Sequence, residues 1–103
     1  MPSIERLEKL LAADPNDAFV LYGLAQEHAK AGNHAQAVAF YDRCLAADPA
    51  YCYAYFHKAR AQEAAGDPRS AAATLETGLE ASRSAGDAKA QGEIAEYLNQ
   101  IRG

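Results

Sequence analysis

The phrase LAADP occurs twice in this chain, at residues 11–15 and 45–49, so that its two copies lie 34 residues apart. The same offset aligns positions of similar size and chemistry elsewhere in the chain. The aligned pairs are Phe19 with Tyr53, Tyr22 with Phe56, Ala25 with Ala59, Gly32 with Gly66, and Ala37 with Ala71. A self-similarity spread over a fixed period of this length is typical of stacked structural repeats. The sequence therefore predicts a chain built around two copies of one unit.

Composition indicates that the repeated unit is helical. Hydrophobic residues make up 50% of the 103 residues, alanine is the commonest residue, and Val, Ile and Thr are few. Alanine has the highest intrinsic helix propensity, whereas β-branched residues favour strands. A chain of this length and apolar content suits one compact domain. We therefore expect a single all-α domain over residues 1–103.

The first repeat, over residues 18–51, contains start and stop signals for two helices. Asp17 is placed to cap the first helix, and Gly32 supplies the left-handed residue that ends it. Asn33 is placed to cap the second helix, with Gln36 three residues later as in a capping box. The Asp-Pro pair of the repeated phrase then stops that helix. Each repeat is thus predicted to be a helical hairpin.

The second repeat, over residues 52–85, contains the same start and stop signals for two helices. Its first helix is predicted over residues 50–65 and ends at Gly66. Asp67 is placed to cap the second helix, and the proline that follows it suits the first helical turn. The Gly-Asp pair at residues 86–87 predicts that this helix ends there and that another helix begins.

Two further helices are predicted outside the repeats. Residues 3–13 carry an apolar face and match only the second helix of a hairpin, which makes them half a repeat. Residues 88–101 have an apolar stripe and a polar opposite face, as a capping helix does. The stripe consists of Ala90, Ile94, Tyr97, Leu98 and Ile101. Because stacked repeats cannot bury their faces alone, we expect these flanking helices to complete the core.

This pattern of paired helices with a 34-residue period closely resembles the tetratricopeptide repeat family. In that family small residues lie where helices cross closely. The matching small residues here are Ala25, Ala37, Cys44, Ala59, Ala71 and Gly78. Pro49 matches the family's closing proline, whereas Arg83 stands where the next one would be. The resemblance implies a right-handed stack of antiparallel helical hairpins, an α-solenoid of about six helices.

The resemblance also implies a binding site, because in this family the first helices of successive hairpins line a concave groove for a partner. The matching groove residues are Phe19, Tyr22, Gln26, Tyr53, Phe56, His57 and Arg60. They form an aromatic strip with basic edges, and aromatic residues and Arg supply much of the energy at protein interfaces. The expected function is a non-enzymatic adaptor or scaffold that binds a peptide or a helix of a partner protein.

Two alternatives to an open groove follow from the same residues. The C-terminal helix could fold over Tyr53 and Phe56 through Ala90, Ile94 and Tyr97, which would make the aromatics part of the core. An uncovered aromatic strip could instead form a homodimer through the same surface.

One version of the family uses Lys, Asn and Arg at set positions to bind the C-terminal carboxylates of chaperones. The matching positions here hold Tyr22, Gln26, His57, Asp87 and Gln91. This carboxylate clamp is absent, and a receptor for chaperone tails is therefore disfavoured.

The distribution of charge and hydropathy disfavours other classes of partner. The net charge is -4, the pI is near 5.2, and the basic residues are scattered, which disfavours nucleic acid binding. The apolar runs are too short for a membrane span, and the N-terminal segment MPSIERLEKLL is charged where a secretory signal would be apolar. We therefore expect a cytoplasmic protein with a protein partner, without membrane or nucleic acid contact.

The sequence predicts neither a catalytic nor a metal-binding residue, and no cofactor. His28 is expected to pack as an aromatic, His34 to be solvated and His57 to border the groove. Cys44 and Cys52 are predicted to be buried free thiols, although a disulfide across the intervening turn is the alternative. Neither cysteine belongs to a CxxC pair, and the glycines are single helix stops rather than a phosphate loop. The expected protein is not an enzyme.

Overall fold

The computed structural model describes residues 3–103, and every regular element in that range is an α-helix. The helices are α1 (Ile4–Ala13), α2 (Ala18–Lys30), α3 (His34–Ala47), α4 (Cys52–Ala64), α5 (Pro68–Ala85) and α6 (Ala88–Arg102). The pairs α2/α3 and α4/α5 form two hairpins, α1 packs on α2, and α6 packs on α5. The prediction of an all-α fold with six helices is confirmed. None of the helices in this range is long and apolar enough to cross a membrane.

Four of the helices begin at a side chain that accepts a hydrogen bond from the first turn. These capping residues are Ser3, Asp17, Asp67 and Asp87. Asp17 Oδ1 accepts from the backbone N–H groups of Phe19 at 3.0 Å and Val20 at 3.2 Å, which satisfies two donors that the helix itself leaves unpaired. The capping aspartates thus fix where α2, α5 and α6 start.

The turns inside and after the hairpins need a left-handed residue. Gly32 has φ of 82°, Gly66 has φ of 87° and Gly86 has φ of 70°, a region in which a side chain would be strained. These glycines end the first helix of each hairpin and the last helix of the second one. The predicted helix stops are confirmed.

Two local predictions were wrong. Asn33 precedes α3, but its side chain makes no capping hydrogen bond and instead lies 3.3 Å from Nδ1 of His28. The helix predicted over residues 50–65 begins at Cys52, two residues later. The Asp48 carboxylate accepts a hydrogen bond from the Ala50 N–H at 3.0 Å, and this local turn competes with helix at those residues.

The buried residues of the described chain form three clusters along the stack. Between α1 and α2 lie Leu7, Val20 and Leu24. Among α2, α3 and α4 lie Leu21, Ala25, Ala37, Tyr41, Cys44, Ala54 and Ala61. Among α4, α5 and α6 lie Ala59, Ala71, Leu75, Ile94 and Leu98. Since α2 and α4 each contribute to two clusters, the interior is continuous from α1 to α6.

Small residues lie buried at the helix crossings, as the sequence predicts. Ala25 and Ala37 are fully buried between α2 and α3, and Ala59 and Ala71 are fully buried between α4 and α5. Gly78 is buried as well, and a Cβ atom added there would lie 2.7 Å from Cβ of Tyr55. The two helices of the second hairpin therefore approach more closely than a side chain at Gly78 would allow.

Candidate functional site

An open cavity of about 390 Å³ lies between α2 and α4, with one contribution from α3. Its lining residues are Gln26, Ala29, Lys30, Tyr41, His57, Arg60, Ala61 and Ala64. The α2/α4 cavity thus brings together three of the residues that the sequence predicts for partner binding, namely Gln26, His57 and Arg60. Its charged lining residues are the basic Lys30 and Arg60.

A second open cavity, of about 270 Å³, lies next to the first, between α4 and α6. Its lining residues are Phe56, Arg60, Glu93, Glu96, Tyr97 and Gln100. Arg60 belongs to both cavities, so they adjoin across α4. We call the combined surface of the α2/α4 and α4/α6 cavities the groove.

Tyr22 lies half-buried in a group of rings behind the α2/α4 cavity. Its ring centroid is 5.9 Å from that of Tyr41, 4.8 Å from that of Tyr51 and 5.8 Å from that of His57. Its hydroxyl accepts a hydrogen bond from Nε2 of Gln26 at 3.2 Å. Burial raises the pKa of Tyr22 to about 12. Tyr22 therefore supports the groove and orients Gln26, which lines it.

His57 occupies the floor of the groove between aromatic rings. Its ring stacks on Tyr41 with centroids 6.5 Å apart and meets the Phe56 ring edge-on at 5.3 Å. Burial, and then the positive charge of Arg60, lower the pKa of His57 below its ordinary value. The imidazole is therefore neutral near pH 7 and offers one donor and one acceptor.

The other two histidines lie away from the groove. The His28 ring stacks on Phe40 with centroids 5.3 Å apart, as expected of a packing residue. His34 is half-buried, and its Nδ1 atom is buried, so the prediction of a solvated side chain was wrong.

Helix α6 covers part of the aromatic strip. The Phe56 ring lies 5.1 Å from the Tyr97 ring, and the Tyr97 hydroxyl donates a hydrogen bond to Glu63 Oε1 at 2.7 Å. Burial, and then a hydrogen bond with Glu93, raise the pKa of Tyr53. Phe56 and Tyr53 are both half-buried, so α6 forms a wall of the groove without turning these aromatics into core residues.

The structure separates the seven predicted groove residues into two sets. Gln26, Phe56, His57 and Arg60 line the cavities. Phe19, Tyr22 and Tyr53 do not. Phe19 is 75% exposed near the start of α2. Of this second set, Tyr22 contacts the lining residue Gln26, and Tyr53 contacts the lining residue Glu93.

The sequence indicated that α6 could reach Phe56 through Tyr97, but the polar residues that α6 contributes to the groove were not predicted. In α6, Glu93 is followed after three, four and seven residues by Glu96, Tyr97 and Gln100. These four residues therefore share one helical face. The polar members of this set belong to the polar face that the sequence predicts for a capping helix. The spacing was a usable signal, but the sequence does not show which neighbour that face meets.

The titratable residues offer no metal site within residues 3–103, where no group of three His, Cys, Asp or Glu side chains could hold an ion. Cys44 and Cys52 are buried free thiols rather than a disulfide. Burial, and then the charge of Asp48, raise the pKa of Cys44 to about 11, so this thiol is a poor nucleophile at neutral pH.

Comparison with known proteins agrees with this architecture. A family model described as tetratricopeptide repeat matches residues 28–92, which is more than half of the chain. A TPR repeat-containing protein from Pseudomonas aeruginosa is 33% identical over 98 residues, covering 95% of this chain and 93% of that protein.

Two solved structures are similar to the whole fold. A tetratricopeptide repeat domain protein from Salinibacter ruber, solved by NMR, has a TM-score of 0.78 and 32% identity, covering 85% of this chain and 89% of that chain. The TPR2B domain of yeast Sti1, solved as a complex with pHsp70, has a TM-score of 0.88 and 23% identity, covering 96% of this chain and 79% of that chain. The family model and the Pseudomonas relative, together with the six-helix stack, show that this chain belongs to the tetratricopeptide repeat family.

Proposed function

We propose that this protein is a non-enzymatic adaptor or scaffold that binds a peptide or a helix of a partner protein in the groove. Tetratricopeptide repeat domains generally mediate protein–protein interaction, and this chain is a member of that family. The observation that carries the proposal is that Arg60 lines both the α2/α4 cavity and the α4/α6 cavity, so that the two adjoin.

The groove offers the mixture of contacts that a bound segment needs. Gln26, His57 and Arg60 supply polar groups that can pair with backbone amides and carbonyls of a partner. Phe56 supplies an apolar wall for a partner side chain. A few such aromatic and Arg contacts carry most of the energy in protein interfaces. Of the other predicted residues, Tyr22 would act by positioning Gln26.

The test is to block the groove at a residue that does not support the fold. Ala64 is exposed and lines the α2/α4 cavity, so Ala64→Trp should fill that cavity with an indole ring. Displayed random peptides would be selected on the wild-type protein, and the affinities of the selected peptides measured by fluorescence polarisation. We expect Ala64→Trp to weaken binding by roughly tenfold or more, which is a loss of about 1.4 kcal/mol.

The matched control is Ala73→Trp, since Ala73 is also an exposed helical alanine but lies on α5, outside both cavities. Circular dichroism should show the same melting temperature for both variants. Equal affinities for the two folded variants would contradict the groove assignment. So would peptide-induced NMR shifts confined to α1 and α5.

Self-association through the same aromatic surface is the second candidate, and the exposure of Phe19 is what favours it. A phenylalanine that is 75% exposed, one helical turn before the half-buried Tyr22, is a natural contact in a dimer. Sedimentation equilibrium distinguishes the candidates. A dimer that Phe19→Ser or Tyr53→Ala dissociates would support self-association, whereas a monomer throughout the micromolar to millimolar range would eliminate it.

We also infer a cytoplasmic location. Buried free cysteines persist in a reducing compartment, and both cysteines here are of that kind. The net charge of -4 disfavours nucleic acid as the partner. Fractionation of the source cells with an antibody against the protein would test the location.

A further inference from the structure

The two halves of the groove differ in charge. The charged residues that line the α2/α4 cavity are Lys30 and Arg60, and Glu27 offsets the charge of Lys30 by pairing with its Nζ atom at 3.2 Å. The α4/α6 cavity has Glu93 and Glu96 on one side and Arg60 on the other. The α4/α6 cavity is therefore the more acidic half of the groove.

A third carboxylate strengthens the acidic character of the α4/α6 cavity. Glu63 on α4 accepts a hydrogen bond from the Tyr97 hydroxyl at 2.7 Å, which places its negative charge beside the cavity. Three carboxylates thus face one guanidinium. Arg60 lines the same cavity and offsets part of this negative charge. Arg60, Glu63 and Glu96 are all exposed, so water and salt screen the positive and the negative charges alike.

The apolar part of the α4/α6 cavity is aromatic. The rings of Phe56 and Tyr97 both line it, and their centroids lie 5.1 Å apart at an interplanar angle of 52°. The face of an aromatic ring attracts a cation, and Arg and Lys side chains also pack their aliphatic stems on such surfaces. Aromatic rings with carboxylates around them are complementary to a long basic side chain.

The size of the α4/α6 cavity fits the same kind of occupant. Its volume of about 270 Å³ lies below the range of roughly 300 to 1,000 Å³ that is typical of sites for whole small molecules. One long side chain of a peptide is a better match. Arg60 lines both cavities, so a peptide with one side chain in the α4/α6 cavity can extend past Arg60 to the α2/α4 cavity.

We propose that the α4/α6 cavity binds a lysine or arginine side chain of the partner, with the cationic group between Glu93 and Glu96 and the aliphatic stem on Phe56 and Tyr97. This inference rests on the proposed function, because it names the chemistry of a segment bound in the groove. Such a site in the C-terminal half of the protein would make it selective for partner segments that contain a basic residue.

The test uses peptides selected from a displayed random library on the wild-type protein. We expect Lys or Arg to be enriched at one position of the selected peptides. Replacing that Arg by citrulline, or that Lys by norleucine, should weaken binding to the wild type by roughly tenfold, as expected for loss of charge-assisted hydrogen bonds. Raising the salt concentration should weaken binding of the basic peptide more than that of its neutral counterpart.

The variant Glu93→Gln/Glu96→Gln should bind the basic and neutral peptides equally. Its matched control is Glu5→Gln/Glu8→Gln, which removes the same two charges at the same spacing from exposed positions on α1. This control should keep the tenfold preference. A preference that survives in Glu93→Gln/Glu96→Gln would overturn the assignment.

The outcomes separate this inference from the proposed function. If Ala64→Trp abolishes peptide binding but neutral peptides bind as well as basic ones, the groove is the binding site and the basic side-chain site is refuted. If neither Ala64→Trp nor Glu93→Gln/Glu96→Gln changes peptide binding, the groove is not the site, and both proposals are refuted.

Discussion

Gly78 and Gly92 both lie inside helices, but their surroundings differ completely. A Cβ atom at Gly78 would lie 2.7 Å from Tyr55 Cβ and 3.1 Å from its Cγ, whereas a Cβ atom at Gly92 would meet nothing within 4 Å. Glycine normally weakens a helix because it has more backbone freedom in the unfolded chain. At Gly78 the close approach of α4 and α5 explains the absence of a side chain, and at Gly92 no contact explains it.

The same substitution should therefore have opposite effects at the two glycines. We expect Gly78→Ala to lower the free energy of unfolding by about 1 to 3 kcal/mol through overpacking against Tyr55. Gly92→Ala should raise it by about 0.5 to 1 kcal/mol through helix propensity. Urea unfolding of both variants followed by circular dichroism provides the measurement. A shift in the same direction for both would contradict the structure at Gly78.

His57 should make stability depend on pH. Its pKa is lowered in the folded protein, so the unfolded state binds its proton more readily. The stability that depends on neutral His57 is fully present above about pH 6.5, the pKa of a histidine in the unfolded chain. It is lost as the pH falls from that value through the lower pKa of His57 in the folded protein.

We therefore expect that lowering the pH from about 8 to about 5 destabilises His57→Gln less than it destabilises the wild type. Thermal unfolding at both pH values gives this difference, and an NMR titration of the His57 ring should give a pKa below about 6.5. An imidazole pKa above that value would show that His57 is not held neutral by its surroundings.

At the scale of helices, the two hairpins are similar at their crossings and differ at their ends. Ala37 in α3 and Ala71 in α5 are both fully buried, 34 residues apart. By contrast, α3 has 14 residues and α5 has 18. Arg83 replaces the proline expected from the family pattern and pairs with Glu80 at 2.8 Å, so α5 continues until Gly86 ends it.

Enlarging a residue at either crossing should destabilise the corresponding hairpin. We expect Ala37→Leu and Ala71→Leu each to cost about 1 to 3 kcal/mol, because a fully buried alanine leaves no room for a larger side chain. The matched controls are Ala39→Leu and Ala73→Leu, two residues further along the same helices and exposed. They should change stability by about 0.5 kcal/mol or less. Equal melting temperatures for the buried and exposed variants would refute the helix register.

At the scale of the whole molecule, stability depends on contacts between neighbouring helices. The α4/α5/α6 cluster contains Ile94, which is fully buried, and it is separate from the α1/α2 cluster. In stacked repeats each unit contacts only its neighbours, so a defect at one end should act locally first. Helix α6 buries Ile94 in this core and also forms one wall of the groove.

Truncating Ile94 should show this local character. We expect Ile94→Ala to cost about 2 to 5 kcal/mol, since it leaves a cavity against Leu75 and Ala71. Amide hydrogen exchange should accelerate more in α5 and α6 than in α1 and α2. The control, Ile101→Ala, removes a half-buried side chain of the same type on the same helix and should cost less. Equal effects of the two substitutions would contradict a closed core at Ile94.

The sequence by itself determined the period, the helices and most of their ends. These features depend on local chemistry, namely alanine-rich helical segments, capping aspartates and left-handed glycines. The resemblance to the tetratricopeptide repeat family also identified small residues such as Gly78 as positions of close helix crossing. Where local prediction was wrong, at Asn33 and at the start of α4, two local hydrogen-bonding patterns competed, and the sequence does not rank them.

Only the tertiary structure decided how the groove is built. Gln26, His57 and Arg60 were predicted to lie together, but the contribution of Glu93 and Tyr97 depends on how α6 is oriented against α4 and α5. A helix presents several faces, and its sequence pattern identifies the apolar face without showing what its polar face meets. The repeats of this protein are set by local signals along the chain, whereas its groove is set by packing between helices far apart in sequence.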